Sequence, residues 1–520
     1  MHGNLRLGFA LFALAFFISN SAVPRTVIAQ WLEVPIGRDN HGQPLKATVS
    51  PNGNDAAVRV LVVNAGAWIR TISVDDLPEA LELSAIDLLL TKRTFPPRGT
   101  AYNDGDIAGL YFWRWLGSQG FDHVLIVGDD GHDLKKALET NAVAKMGTIP
   151  STVVASPEHL EALLQSGNLA ARHPDNAATE RRKRADRTPI EVATALAAHY
   201  GRRLDSIAYI PSLAVIGRQR LGELTGNQKW NAEANAVITP WLEQDHTTNS
   251  GKVPGASTVA GYLVFVDAFD RDGEARARKI VQNVASIGID RKTGEPVDVV
   301  PNHSEMSDSV FMDPPLLAAA GRLTGDPNYF QACLNHVRAI QKLCLRTDGI
   351  YRHSPLDQAA WGRGNGFPAL GLALVLSEMP STWPGHAELV DDFQHHLAAL
   401  LPYQDATGMW HQVIDHPESY PEFSCTCMLT FAMLRGMRLG ILDEEIYGEP
   451  AARGWAAIKR RIDTNGLDLT DVCTGTGKQK DLEAYFHRTA ILGKDDRGGA
   501  MALMLATEQG FRDREHPAQD

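Results

Sequence analysis

Cysteine is scarce in this chain: five among 520 residues, Cys333, Cys344, Cys425, Cys427 and Cys473, all in the C-terminal half. An odd, one-sided set of this kind excludes the disulfide framework of a small secreted domain. Cys425 and Cys427 stand as C-x-C, not the C-x-x-C of redox and zinc sites, and no second pair complements them. Buried free thiols are expected here, not a thiolate metal site. Positive charge is also short. Lys and Arg total 50 against 62 Asp and Glu, a net charge of −12, which disfavours nucleic acid and anionic lipid as partners because both need basic surfaces. Long apolar runs are missing too. Leu7 to Ile18 comes nearest, and it falls short of the ~20 residues that a bilayer requires. Preceded by Arg6 and followed by small residues, it is read as an export signal over residues 1–29, with cleavage after Ala22 or Ala29 and no membrane span. The expected location is periplasmic or extracellular.

What is present is an ordinary globular composition, 44% hydrophobic and 22% charged, long enough for two or three domains. Over residues 30–168 the pattern is α/β. Val58 to Val63 and His123 to Val127 are short, β-branched-rich runs, separated by helical stretches such as Ile107 to Leu116, and they predict a small open-sheet accessory domain. The stretch from Ile36 through Leu45 into VRVLVV faintly resembles the start of metallocarboxypeptidase-like domains. No zinc motif follows, since Asn64-Ala65-Gly66-Ala67 stands there. Residues 169–189, with the basic run Arg181-Arg182-Lys183-Arg184, are expected to form a solvated linker.

From Ile190 to residue 510 amphipathic helices dominate and a period emerges. Gly294, Gly349, Gly408 and Gly466 each follow a helical stretch, at intervals of 55, 59 and 58 residues. Such a unit holds two helices and their connections. A second echo is Leu-Thr-Gly-Asn at 224–227 and Leu-Thr-Gly-Asp at 323–326. About 325 residues at this period give five to six helical hairpins, a number that closes into a ring. The expected fold is therefore multidomain: a C-terminal all-α (α/α)6 barrel, or toroid, preceded by the small α/β domain, with 511–520 as a polar tail.

In such a ring the loops after the repeat glycines surround a pocket. After Gly349 come Tyr351, His353, Trp361, Arg363 and Asn365; after Gly408 come Trp410, His411, Glu422 and Ser424. The hexapeptide Trp361-Gly-Arg-Gly-Asn-Gly366 sets a stacking ring, a forked cation and an amide among glycines that permit positive φ and close approach. One repeat earlier, Asp308 opens a helix. Its residue type and place allow two readings, an N-cap or a catalytic acid. The pair His395-His396 is expected on a helix surface.

Six ordered motifs carry a family resemblance: Ser-Asp-Ser-Val-Phe-Met (307–312), Leu-Thr-Gly-Asp (323–326), Asp-Gly-Ile-Tyr-Arg-His (348–353), Trp-Gly-Arg-Gly-Asn-Gly (361–366), Gly-Met-Trp-His-Gln-Val (408–413) and Cys-Thr-Gly-Thr-Gly (473–477). Over about residues 188–508 the chain resembles glycoside hydrolase family 105 and its relative, family 88, the unsaturated rhamnogalacturonyl and glucuronyl hydrolases. The resemblance implies removal of a 4,5-unsaturated uronic acid from the non-reducing end of lyase-generated oligosaccharides, by hydration of the C4=C5 bond and without a cofactor. It assigns acid/base catalysis to Asp308 and substrate contacts to His353, Trp361, Arg363, Asn365, Trp410 and His411. One departure stands out. The family's second acid is expected near Lys252 to Ser257, where this chain has Asn249-Ser-Gly-Lys-Val-Pro-Gly255, with Asp245 the alternative. That loss leaves room for a non-catalytic binder of acidic carbohydrate on the same barrel. Another sugar-acting toroid, such as an epimerase, would need acid/base groups on both faces of one carbon.

Overall fold

The computed structural model describes residues 31–50, 58–73, 81–102, 105–165, 169, 175–244 and 253–516. The segment read as an export signal, Asp245 and Asn249 to Lys252 lie outside the described residues.

The N-terminal domain is a six-stranded sheet in the order β1-β2-β4-β3-β5-β6. Its strands are β1 (Leu32–Arg38), β2 (Pro44–Val49), β3 (Val58–Val63), β4 (Leu81–Ile86), β5 (His123–Val127) and β6 (Ser151–Val154). β1, β2 and β4 pair antiparallel, whereas β4, β3, β5 and β6 run parallel. A parallel sheet covered on both faces explains the unbroken apolar run of β3. Leu61 and Val63 enter one cluster, with Phe112, Leu116 and Leu134 of α2 (Ile107–Gln119) and α3 (His132–Thr140); Val60 and Val62 enter another, with Ile69 of α1 (Gly66–Ile69) and Leu160 of α4 (Glu158–Gln165). The period-two alternation of strand side chains makes that division.

The expected linker instead forms a helix, α5 (Ala177–Ala185), with Arg181 and Arg184 buried. The basic run is spent on contacts. Arg182 pairs with Asp122 at 2.8 Å, and Arg184 reaches Glu180 and the Arg460 carbonyl. Arg187 donates to the carbonyls of Lys459, Ile462 and Asp463 at 2.7–2.8 Å. Clusters of guanidinium donors satisfy orphan carbonyls at a helix end, so this segment clasps the two domains together. Arg38–Glu483, Arg114–Asp471 and Lys145–Asp468 add ion pairs across the same junction.

Beyond α6 (Pro189–Ala197) the chain is helical except for a two-stranded antiparallel sheet, β7 (Leu469–Cys473) with β8 (Ala490–Gly493), so the expected all-α domain carries one small sheet. Six segments are inner: α7 (Tyr209–Thr225), α9–α10 (Ala256–Gly261, Leu263–Asp272), α12–α13 (Ser309–Met312, Pro314–Thr324), α15 (Gly362–Glu378), α17 (Phe423–Arg438) and α20 (Asp496–Glu515). Each packs on the next, and α20 packs on α7. Their partners α8 (Gln228–Leu242), α11 (Ala275–Ala285), α14 (Pro327–Cys344), α16 (His386–Leu400), α18 (Glu444–Arg460) and α6 pack against them, with α6, α11 and α18 each touching two inner segments. The inner helices α15, α17 and α20 are buried nearly all round, as their unbroken small and apolar residues require. Helix α20 runs into the segment expected as a polar tail, because Phe511 is buried in it. No helix among the described residues is long and apolar enough to cross a membrane.

The repeat glycines all have positive φ, 75°, 85°, 92° and 76° for Gly294, Gly349, Gly408 and Gly466. At Gly408 and Gly466 a Cβ would also strike the backbone of Arg453 and Ala195, at 2.3 Å in each case. In three of these turns an aspartate, Asp290, Asp405 or Asp463, accepts two backbone N–H groups across the loop. The Leu-Thr-Gly echo is a second device. Gly226 and Gly325 are left-handed C-caps, and Asn227 and Asp326 cap the helix that follows.

At the C-terminal ends of the inner helices, charged side chains link all six. Arg220 of α7 and Arg435 and Arg438 of α17 converge on the fully buried Glu508 of α20. Arg435 also donates to Ser377 of α15 at 2.9 Å, and Arg322 of α13 bridges Glu378 of α15 and Asp270 of α10. Gln219 of α7, its amide oriented by the network, donates to Asp267 at 2.6 Å and accepts from Arg271 of α10. All five cysteines are buried and free.

Candidate active site

The opposite, N-terminal ends of the inner helices hold several of the residues singled out above, together with Tyr209 and Arg497, which were not. Tyr209 opens α7, Asp308 precedes α12, Arg363 is second in α15, Glu422 and Ser424 begin α17, and Arg497 is second in α20. The positive ends of these helices converge there, an environment that favours anions.

Asp308 occupies the N-cap position of α12 yet makes no side-chain capping bond. The residue is 6% exposed and its Oδ1 has no hydrogen-bond partner. That oxygen faces Nε2 of the fully buried His353 at 3.4 Å. A buried carboxylate left this poorly satisfied costs stability, and such outlay clusters where chemistry needs it. Ser307, whose N–H donates to the His353 carbonyl at 3.0 Å, keeps a buried, unpartnered hydroxyl beside it.

His353 is oriented from behind. Its Nδ1 lies 2.8 Å from the hydroxyl of Tyr485, in α19 (Leu482–Phe486), and that oxygen already accepts the Gln479 N–H at 3.3 Å. Burial pushes the Tyr485 phenol up to about 12, so it keeps its proton. The arrangement has Tyr485 donate to Nδ1 and places the imidazole proton on Nε2, toward Asp308.

Trp361 packs on His353 with ring centroids 4.4 Å apart and an unpartnered, buried Nε1, and the Arg363 guanidinium lies over the indole at 4.5 Å. Arg363 donates to Ser424 Oγ at 3.1 Å, to the Cys473 carbonyl at 2.8 Å and to the Thr474 carbonyl at 2.8 Å. Three of its five N–H donors are thus fixed, leaving Nε–H and one Nη2–H. Burial works against this charge, yet the surrounding anionic groups, Glu422 and Asp308 among them, hold the guanidinium above its ordinary value. Glu422 in turn is saturated by the N–H groups of Ser424, Cys425 and Cys473.

The hexapeptide is helical after its tryptophan, and none of its glycines has positive φ. Their lack of a Cβ serves packing: at Gly364 one would stand 3.0 Å from Ser307 Oγ, and at Gly362 2.5 Å from the His411 carbonyl. The structure does not bring every expected residue to Asp308. Asn365 spends its amide on the Tyr351 N–H and the carbonyls of Tyr351 and Trp361. Trp410 is fully buried, its Nε1 donating to Leu400. His411 bonds Ser419 and Asp405 and lines a cavity between the two domains instead. His396, expected at the surface, is buried with both ring nitrogens against carbonyls. Tyr485 and the Cys473–Thr474 carbonyls went unassigned in the sequence. Their signal was the fourth repeat glycine, Gly466, whose following segment supplies them. Among the described residues, no group of three or more His, Cys, Asp or Glu is placed to hold a metal.

The helical segment shares its fold with a family 105 glycoside hydrolase from C. acetobutylicum (TM-score 0.53, 20% identity, covering 62% of this chain and 99% of that one). It likewise matches a family 88 glycosyl hydrolase from Bacteroides vulgatus (TM-score 0.53, 17% identity, 63% and 100%). The model of Glycosyl Hydrolase Family 88 matches residues 255–510, and the C-terminal segment resembles families 88 and 105. Relatives include an unsaturated 3S-rhamnoglycuronyl hydrolase of Alteromonas sp. (strain LOR), 26% identical over 172 residues, 31% of this chain and 42% of that protein. Another is the unsaturated rhamnogalacturonyl hydrolase YesR of Bacillus subtilis (strain 168), 25% identical over 206 residues, 38% and 58%. The chain spans about half the length of these relatives.

Proposed function

We propose that this protein is an exported glycoside hydrolase that removes a 4,5-unsaturated uronic acid from the non-reducing end of lyase-generated oligosaccharides, on a six-hairpin toroid. The observation that carries this reading is an aspartate at a helix N-cap that caps nothing, its Oδ1 unpartnered and turned to a buried histidine. Asp308 delivers a proton to C4 of the vinyl ether and water adds at C5, its proton returning to the carboxylate. The hemiketal ring opens, and the hemiacetal left at C1 expels the rest of the chain. One acid/base group serves both transfers. Arg363, with Nε–H and one Nη2–H unspent, holds the uronate, Trp361 borders the ring, and His353 directs Nε2–H at Asp308 and the water between them.

The test is to mix purified protein with lyase-generated unsaturated disaccharides and follow the ultraviolet absorbance of the conjugated double bond. Absorbance should fall to zero with release of the neighbouring sugar. Constant absorbance across a panel of such uronides overturns the reading, and calorimetric binding without turnover would assign the non-catalytic alternative. Tyr485 is a positioning residue in this scheme. Tyr485→Phe is expected to lower kcat about tenfold at near-constant KM and to change the pH profile, because the second histidine tautomer becomes populated. A pH profile identical to wild type would mean that Tyr485 only fills space.

A further inference from the structure

A cavity of about 690 Å³ lies between the α/β domain and the helical domain, with His411 and Ile414 in its wall. Its walls combine aromatic faces, Tyr111, Trp115 and Tyr403, with guanidinium groups from both domains, Arg114 and Arg461 among them. Arginines outnumber acids along the lining. Arg59 is matched by Glu82, and Arg114 by Asp471 at 3.3 Å. Arg461 has no ion pair. It is 6% exposed, its Nε has no hydrogen-bond partner, and the one hydrogen bond of its side chain is a long 3.5 Å contact to the Ala457 carbonyl. Asp471 and Asp405 are its nearest compensating charges, and burial lowers its affinity for the proton it must keep. One further buried polar atom on the same walls, Tyr111 Oη, also lacks a partner, and Arg114 Nη1 and Asp471 Oδ1 have only their 3.3 Å ion pair with each other and no hydrogen bond. Buried polar groups are satisfied in the great majority of cases, so orphans gathered on one cavity mark a place for a ligand.

We propose that this interdomain cavity is a second binding site, for a sugar that carries an anionic group. Arg461 and Arg114 take the anion and the tyrosine and tryptophan faces take the ring, the same pairing of fork and face that suits acidic carbohydrate. The volume lies in the range of small-molecule sites and exceeds what a lone inorganic anion needs. Both domains contribute walls, so the α/β domain becomes half of a binding site. The proposal stands apart from the reaction at Asp308, since the walls include neither Asp308, His353 nor Arg363.

The experiment is calorimetric titration of the full chain with galacturonate, with neutral galactose as control. The Asp308→Asn background is used so that turnover does not enter. Saturable binding of galacturonate and none of galactose is expected. Arg461→Gln should weaken it about tenfold or more, the effect of losing a charge-assisted hydrogen bond. Ala456→Phe, which puts a ring into the cavity from the half-buried face of α18 without altering charge, should do the same. Overlaid circular dichroism spectra for the variants establish folding. Galacturonate binding that both variants leave unchanged places the sugar elsewhere and overturns the proposal. So does the absence of binding, and so does equal affinity for galactose.

Discussion

Asp308→Asn is expected to lose about a thousandfold or more in kcat/KM while its thermal midpoint stays at or slightly above that of the native protein. The two outcomes share a cause. General acid–base groups contribute about 10²–10⁴-fold, and asparagine can neither give nor take the proton. The same carboxylate lies buried with Oδ1 unpartnered and caps no helix, so its charge is a burden on the fold. Replacing it with a neutral isostere removes that burden. Initial rates on an unsaturated disaccharide and a melting curve check both halves. A variant that keeps most of its turnover sinks the catalytic assignment. One that loses activity together with several degrees of midpoint points to a structural aspartate.

The largest effect on stability is expected from Glu508→Gln. Its carboxylate is fully buried among Arg220, Arg435 and Arg438, with Arg435 bound through both Nε and Nη2 at 2.9 and 2.7 Å. Burial alone would raise its pKa, but the three guanidinium groups outweigh that and hold it well below the usual carboxylate range. Breaking one partner out of a buried ionic group leaves uncompensated charge and costs about 3–5 kcal/mol. The sign with pH follows. A group whose native pKa is depressed contributes fully above its unfolded value, near 4.5, and loses that contribution as pH falls toward the native value. The gap between wild type and Glu508→Gln in chemical denaturation should therefore be widest from pH 5 upward and close progressively below pH 4. A gap that is constant from pH 7 to pH 3 would show that the ionised state of Glu508 does not matter.

Period and turn chemistry made the helical architecture legible. The four repeat glycines sit where the backbone demands left-handed φ, and that demand is local, so a single sequence exposes it. The strands Val58–Val63 and His123–Val127 were equally readable from β-branched runs. Residue roles were less so. Nothing near Trp410 or Asn365 in the chain reveals that the former anchors to Leu400 and the latter to Tyr351; those partners are set by packing between elements. The basic run 181–184 looked solvated because charge density is a local property, whereas the Asp122 carboxylate and the Arg460 carbonyl that receive it lie 60 and 276 residues away. Tyr485 was hidden for the same reason, 132 residues from the histidine it orients.

The charged links at the C-terminal ends of the inner helices bear on how the protein is made. The bond between Arg220 and Glu508 joins residues 288 apart, and α20 packs on α7, so the first inner helix waits for the last before its face is covered. Contacts of such separation are slow to form, and until they do the apolar sides of α7 and α17 stay open to water and to other chains. Release of the C-terminal segment from the ribosome thus sets the earliest moment at which this domain can close.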